Sequence, residues 1–547
     1  MKKSKLIATA FVGVLSAGAL AGCGKKGDLM MWTGFGSSYS VALRDVLDQY
    51  TEATGVSVDH ESQSGYPNLQ NNINNSIATE SFPNIANGYP DHFAGYISND
   101  IQVPLDSYIE AYNESHADLL AERGISNILD DFYPEYMTEN QTLAYDDAGK
   151  GITYGLPFNK STEVLGYNNF FVQYAQSVDP SLRVPKTWEE IQVDGPKYRA
   201  IMDTLAQKHD DESVTAGKWL FGKLDMREES VTGLPPGTLV QPGTFRVVDA
   251  QYDESGAEKD AKNYAQEGES LLISCAKVDM GYFRVFSWDS ADNMFITIVR
   301  QWGGQYTKYD KDDIVYGHGW ARFYDDDVKA KTKEALEYFC DLYTDKTFGL
   351  PSDLSATASY SSDSFLVNQC IFTVCSSGGL SYNIKEGFGR RFRVAPIPYK
   401  DADHKYVISQ GTNLAVFDQG GEDKIQKSFD LIIELCTGDY QSQWAVETGY
   451  YPAAKSAVVE GSPYYKLIHE TQDTEVKLAY QESARVNEEN YMKESEKWIK
   501  FVDPGFVGSS VIRNEVGTLP GIVFLHGKAS IDEELAKAYS RLKGYVK

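Results

Sequence analysis

Residues 29–87 read LMMWTGFGSSYSVALRDVLDQYTEATGVSVDHESQSGYPNLQNNINNSIATESFPNIAN, and this stretch decides the fold class. Leu29-Met30-Met31-Trp32 is a short apolar run of the kind a buried strand shows. The loop after it, Thr33 to Ser38, holds Gly34 and Gly36. Leu43, Val46, Leu47 and Tyr50 then fall at i, i+3, i+4 and i+7, one face of a helix, and Gly55 stops it. Val56-Ser57-Val58-Asp59-His60 alternates as a strand does. Leu69, Ile73 and Ile77 mark a second helix that ends by Pro83, and Ile85-Ala86-Asn87 reads as another short strand. Strand, helix, strand, helix, strand predicts an α/β lobe with a largely parallel sheet. Such sheets bind ligands beyond the carboxyl ends of their strands. Trp32-Thr33-Gly34 and Asn87-Gly88-Tyr89 stand at those ends.

Upstream lies a different kind of segment. Lys2, Lys3 and Lys5 precede an apolar run from Leu6 to about Leu20, the order of charge and apolarity of a secretory signal. The run is shorter than the roughly 20 residues that span a bilayer. Leu20-Ala21-Gly22-Cys23 resembles the lipobox of bacterial lipoproteins. That resemblance implies a leader over 1–22, a lipid on Cys23, and a short tether over 23–27 holding the chain outside the cytoplasmic membrane. An ordinary signal with a chance cysteine is the alternative.

Without the leader, about 525 residues remain, enough for two or more lobes with their own cores. Formal net charge is -27. Losing three lysines and no acids takes it to about -30, which opposes broad binding to nucleic acid or an anionic lipid surface. Apart from Cys23 the cysteines are Cys275, Cys340, Cys370, Cys375 and Cys436. None has CxxC spacing, so zinc and thioredoxin readings are poor. Cys370 and Cys375 either bridge or, as the apolar Ile371, Phe372 and Val374 between them favour, stay buried thiols. The 36 Tyr, 25 Phe and 8 Trp suit stacking against sugar rings and suit a large core equally.

Further helices are expected at 328–344 and 424–436, and a last one opening on Ser530-Ile531-Asp532-Glu533, a capping box. Residues 200–285, rich in Gly and Pro between Gly233 and Gly243, read as an insertion on one lobe. Motifs for serine hydrolysis, zinc proteolysis and nucleotide phosphate binding are absent. Gly34-Phe35-Gly36 lacks the third glycine of a dinucleotide loop. Tyr309-Asp310-Lys311-Asp312-Asp313 lacks the glycine of a calcium loop. Glu189-Glu190 cannot be singled out as an acid–base pair among 78 carboxylates. No cofactor or metal is expected.

Four segments carry a family resemblance. They are Tyr154-Gly155-Leu156-Pro157-Phe158-Asn159-Lys160-Ser161-Thr162-Glu163-Val164-Leu165-Gly166-Tyr167-Asn168 with Val184-Pro185-Lys186-Thr187-Trp188; Val299-Arg300-Gln301-Trp302-Gly303-Gly304; Ser364-Phe365 through Cys375-Ser376-Ser377-Gly378-Gly379; and Gly411-Thr412-Asn413-Leu414-Ala415-Val416 with Thr448-Gly449-Tyr450-Tyr451-Pro452-Ala453-Ala454-Lys455. Together they resemble the extracellular solute-binding proteins of carbohydrate ABC importers, over about 28–547 apart from the insertion.

The resemblance implies a two-lobed α/β fold of the periplasmic-binding-protein type, with a ligand cleft between the lobes and several strands crossing from one to the other. Lobe 1 would comprise 28–155 and 409–455, and lobe 2 would comprise 156–408 and 456–547. The lobes would close on a carbohydrate by hinge motion. The closed, monomeric form would then meet permease subunits in the membrane, with hydrolysis left to a separate ATPase. Candidate ligand contacts are Trp32 and Trp302 by stacking, Tyr66 and Tyr450 at the cleft, Asp91 as an acceptor, Ser161 at the hinge, and Ser377, Gly378 and Gly411 as donors at turns. Gly65-Tyr66-Pro67, Asn159-Lys160-Ser161-Thr162 and Tyr450, with Arg513, are also similar to glycerol-3-phosphate and glycerophosphodiester binding proteins. There Arg513 would offer a guanidinium fork to phosphate. A lipid-anchored glycoside hydrolase is the enzymatic alternative and would need two carboxylates about 5–10 Å apart.

Overall fold

The computed structural model describes residues 27–209, 218–221, 245–249, 270–274, 276–312, 318–366, 368–384, 392–472 and 474–547. The expected leader, Cys23 with most of its tether, Cys275 and most of the insertion lie outside these residues.

The opening stretch folds as its periodicity dictates. Strand β1 (Leu29–Thr33) leads to helix α1 (Ser37–Thr54), whose buried face is Tyr39, Leu43, Val46, Leu47 and Tyr50. Gly55 ends α1 in the left-handed conformation, φ 76°, with its N–H on the Thr51 carbonyl. Strand β2 (Val58–Ser62) starts two residues later than Val56, and helix α2 (Tyr66–Ser76) leads to β3 (Ile85–Gly88). β1 pairs in parallel with both β2 and β3. Helix α3 (Pro90–Ser98) follows at once.

Two long strands join this unit to the rest. β4 (Leu156–Asn168) carries on through both halves of the molecule. In the second half lie β5 (Arg284–Trp288), α4 (Ala291–Gln301), α5 (Asp326–Thr344), β6 (Phe348–Gly349), β7 (Cys370–Ser376) and β8 (Phe392–Ala395). Strand β9 (Tyr406–Val416) returns to the first half. Helices α6 (Glu422–Cys436) and α7 (Gly438–Thr448) pack there, and the chain crosses back to end in β10 (Ile499–Val502), α8 (Ser509–His526) and α9 (Ile531–Arg541). One ten-stranded sheet runs β6-β5-β7-β4-β9-β3-β1-β2, with β8 on β4 and β10 on β9.

The cores part where the strands cross. One core gathers Leu29 to Phe158 and Leu414 to Ala454; the other gathers Val164 to Ile408 and Tyr464 to Leu542, with Ala445 joining it from α7. Each lobe thus holds chain from both sides of the crossings.

Two expectations are corrected locally. Ser530 does not form a capping box: its backbone is helical, and its hydroxyl donates to the Gly527 carbonyl at 2.8 Å instead of taking the N–H of the first turn. Cys370 and Cys375 are both buried and form no disulfide with each other. They lie five residues apart on one strand, hence on opposite faces and about 16 Å apart, too far to bridge. Among the described residues no helix is long and apolar enough to cross a membrane.

Candidate functional site

A cavity of about 500 Å³ lies between the lobes. Four helices point their first turns at it, each launched from the end of a strand or a short loop. α2 contributes Tyr66, Pro67 and Gln70; α3 contributes Pro90, Asp91 and His92; α4 contributes Asp292 and Asn293 after Ser290; α8 contributes Ser509, Ser510, Arg513 and Asn514. The crossing strand β9 lays Ile408 to Gly411 along the floor, and Asp289, Tyr360, Glu139 and Asp503 complete the wall. This is the arrangement that parallel α/β sheets produce, with helix N-termini and strand carboxyl ends converging on one crevice.

The polar floor is held by buried pairs. Lys160, on β4, is fully buried and bonded to Glu139, and its Nζ reaches the Gly411 carbonyl at 3.3 Å. Thr412 donates to Asn159 and accepts from Asn87 Nδ2 at 3.1 Å. The Tyr451 N–H meets the Lys160 carbonyl at 2.6 Å, which ties the third crossing to β4. Gly411 has φ 98°, and a Cβ there would stand 1.9 Å from the Asn159 carbonyl oxygen. Only glycine lets β9 approach β4 so closely.

Arg513 is spent on the protein itself. Its Nε meets Asp292 Oδ2 at 2.7 Å, Nη1 meets Asp503 Oδ2 at 3.1 Å, and Nη2 donates to Asn293 Oδ1. Burial works against its charge, but Asp292 and Asp503 outweigh it and hold the guanidinium well above its ordinary pKa. Asp503 also accepts from the Tyr306 hydroxyl, and burial pushes its carboxyl up. Burial also raises Asp289, whose Oδ1 accepts from the backbone and hydroxyl of Ser361 at 2.6 and 2.8 Å. Behind this wall, Glu163 takes the Trp288 indole N–H at 2.7 Å, and burial pushes it up to about 8.

Aromatic rings connect the cavity to the hinge. Tyr66 meets Tyr89 edge to face at 5.0 Å between centroids and Phe35 at 6.5 Å. Tyr450 stacks on Trp444 at 6.3 Å and 9°, and Tyr39 packs edge-on against Tyr450 and Tyr382. The Tyr39 hydroxyl donates to the Gly378 carbonyl across the lobes. A second bridge runs from the Tyr309 hydroxyl to the Thr142 carbonyl at 2.6 Å.

Of the residues read from the sequence, Tyr66, Asp91, Gly411 and Arg513 line the cavity. Ser161, Ser377, Gly378 and Tyr450 gather behind it at the hinge. Ser161 is buried opposite Gln410, and the Ser377 hydroxyl accepts the Thr162 N–H at 3.2 Å. Gly378 is there because a Cβ would lie 2.4 Å from the Tyr450 ring. The two tryptophans go elsewhere. Trp302 closes the apolar face of α4 and packs on Tyr338 and Phe339 in the second core, 4% exposed, with Lys400 over its ring. Trp32 packs partly buried against the small cluster of Leu69, Ile73 and Phe93. Both face the core because an apolar ring at a strand or helix end has two faces to choose from, and the larger apolar area wins.

His92, Asp289, Asp292 and Asp503 were not found from the sequence. Only Tyr89, at the end of β3, carried a positional signal. Among the described residues no cluster of His, Cys, Asp and Glu is placed to hold a metal.

Two lobes, a shared sheet with long crossing strands, and a polar and aromatic cleft between them define a two-lobed fold of the periplasmic-binding-protein type. The family profile described as bacterial extracellular solute-binding protein matches residues 45–466, and the chain belongs to that family. Its fold is shared with solved structures of low identity. An ABC substrate-binding protein of Listeria monocytogenes in complex with cycloalternan has 13% identity and TM-score 0.59, over 94% of this chain and 97% of that one. UgpB of Mycobacterium tuberculosis in complex with glycerophosphocholine has 14% identity and TM-score 0.58, over 94% and 97%. The maltose/maltodextrin-binding domain of Bdellovibrio bacteriovorus bound to maltotriose has 12% identity and TM-score 0.56, over 94% and 98%. Comparison with curated protein sequences gave no match.

Proposed function

We propose that this chain is the lipid-anchored receptor of an ABC importer, that it captures an oligosaccharide in the interlobe cleft, and that it hands it to membrane permease subunits. The anchor is the lipid on Cys23, and the receptor acts as a monomer. The lobes divide as 28–155 with 409–455 and 156–408 with 456–547. Tyr66 and Tyr89 offer ring faces, and Asp91 and the Gly411 turn offer polar contacts to sugar hydroxyls.

One observation carries the choice of ligand. The Arg513 fork is already occupied by Asp292, Asp503 and Asn293. A phosphate would have to displace carboxylates from the single guanidinium of the lining, whereas hydroxyl donors meet acceptors that are ready for them. Sugar binding here therefore ranks above glycerol-3-phosphate or a glycerophosphodiester. The latter reading keeps one support, the presence of Arg513 in the wall.

A thermal-shift screen of the purified protein against neutral oligosaccharides and glycerol phosphates tests this, because a ligand of the folded state raises Tm by mass action. A rise with an oligosaccharide alone supports the proposal. A rise with a glycerol phosphate alone replaces it with the phosphate reading. Turnover of a saccharide, followed by release of reducing ends, would replace it with a hydrolase.

A further inference from the structure

The charge on the walls of the cleft is one-sided. Asp91, Glu139, Asp289, Asp292 and Asp503 face the cavity, and Arg513 is the one Lys or Arg among its lining residues. Lys160 neutralises Glu139 from beneath the floor, Arg513 pairs with Asp292 and Asp503, and the buried Arg300 acts on Asp503 from behind. Among the described lining carboxylates, Asp91 and Asp289 have no basic partner.

The acceptors point the same way. Asp503 Oδ1 is buried without a hydrogen-bond partner, although Oδ2 of the same carboxylate serves both Arg513 and Tyr306. His92 is 6% exposed and lines the cavity, and its Nδ1, a donor or an acceptor according to the tautomer, is also without a partner. A carboxylate oxygen can only accept. A group that brings several donors and a positive charge suits this acidic lining, and the Tyr66 and Tyr89 rings are near to flank it.

We propose that the preferred ligand is a cationic saccharide, a sugar or short oligosaccharide bearing a protonated amino group that is seated among Asp91, Asp289 and Asp503. This rests on the saccharide reading above and narrows it.

The test is isothermal titration of the purified protein with three probes: the glucosamine trimer, the N-acetylglucosamine trimer and maltotriose. The glucosamine trimer should bind at least tenfold tighter than either neutral probe. That margin should shrink as salt rises, and it should narrow in Asp91→Asn and, independently, in Asp289→Asn, each confirmed as folded by its melting curve. Equal affinity for charged and neutral probes, or preference for a neutral one, overturns the cationic ligand and leaves the saccharide reading standing. If no probe binds folded protein, the saccharide reading falls with it.

Discussion

Tyr66 is one of four residues on which sequence position and cavity agree. It follows Gly65 at the first turn of α2, lines the cleft, and reaches the hinge side through Tyr89 and Phe35. Tyr66→Ala should weaken saccharide binding by about 1–3 kcal/mol, read by titration calorimetry; unchanged affinity would remove the ring from the site. Trp302→Ala should behave oppositely. It empties a core position, so it should lower stability by about 3–5 kcal/mol while the folded protein keeps its affinity. Glu163 gives a pH signature. Its ordinary pKa is 4.5 and burial lifts it to about 8 in the folded chain, so the folded state holds a proton that the unfolded state has lost. The stabilisation is complete below about 4.5 and is lost as pH rises through 8. Glu163→Gln keeps an acceptor for Trp288 without a charge. Denaturant melts should show the variant gaining on wild type between pH 5 and pH 8, by up to a few kcal/mol. A pH-independent difference would mean that Glu163 ionises normally.

At the scale of elements, β9 and β4 meet at Gly411, and their register shifts between Thr412 and Asn413. Gly411→Ala combines a left-handed φ with a clash against backbone that cannot move aside. It should lower stability by about 3 kcal/mol, whereas Gly55→Ala, with open space around its Cβ, should cost about 1 kcal/mol. Similar drops in Tm for the two would show that the β4–β9 junction yields. The alternation of β1, α1, β2, α2 and β3 was legible because each element shows a regular apolar period. The start of β2 was not, because Val56 and Val58 share one face and either could open the strand. The acidic wall was not legible either. With 78 carboxylates in the chain, nothing local marks Asp289, Asp292 or Asp503; only the pairing of β10 with β9 and the packing of α8 on α4 bring position 503 and Arg513 beside 292. The tryptophans misled for the same reason. Strand-end position is visible in a sequence, but the side of the sheet a ring takes is decided by the partners it meets.

For the whole molecule, two lobes joined by β4, β9 and the 449–454 crossing can bend about those strands while each core stays intact. The bridges from Tyr39 to Gly378 and from Tyr309 to Thr142 are among the contacts that such bending must break and remake. Saturating ligand should therefore reduce the radius of gyration measured by small-angle X-ray scattering, and a profile unchanged by a bound ligand would exclude hinge closure. The placing of β9 also sets the order in which the chain can be finished. It lies between β4 and β3 in the sheet, and its Thr412 meets Asn87 across 325 positions of sequence. The first lobe lacks an inner strand until β9 has been synthesised, and the second lobe lacks α8 and α9 until residues 509–541 follow. For most of its synthesis the nascent polypeptide therefore cannot complete either core, and contacts so distant form slowly once it can. For a member of an extracellular family this delay is an asset: a chain that has not yet closed can still be threaded outward.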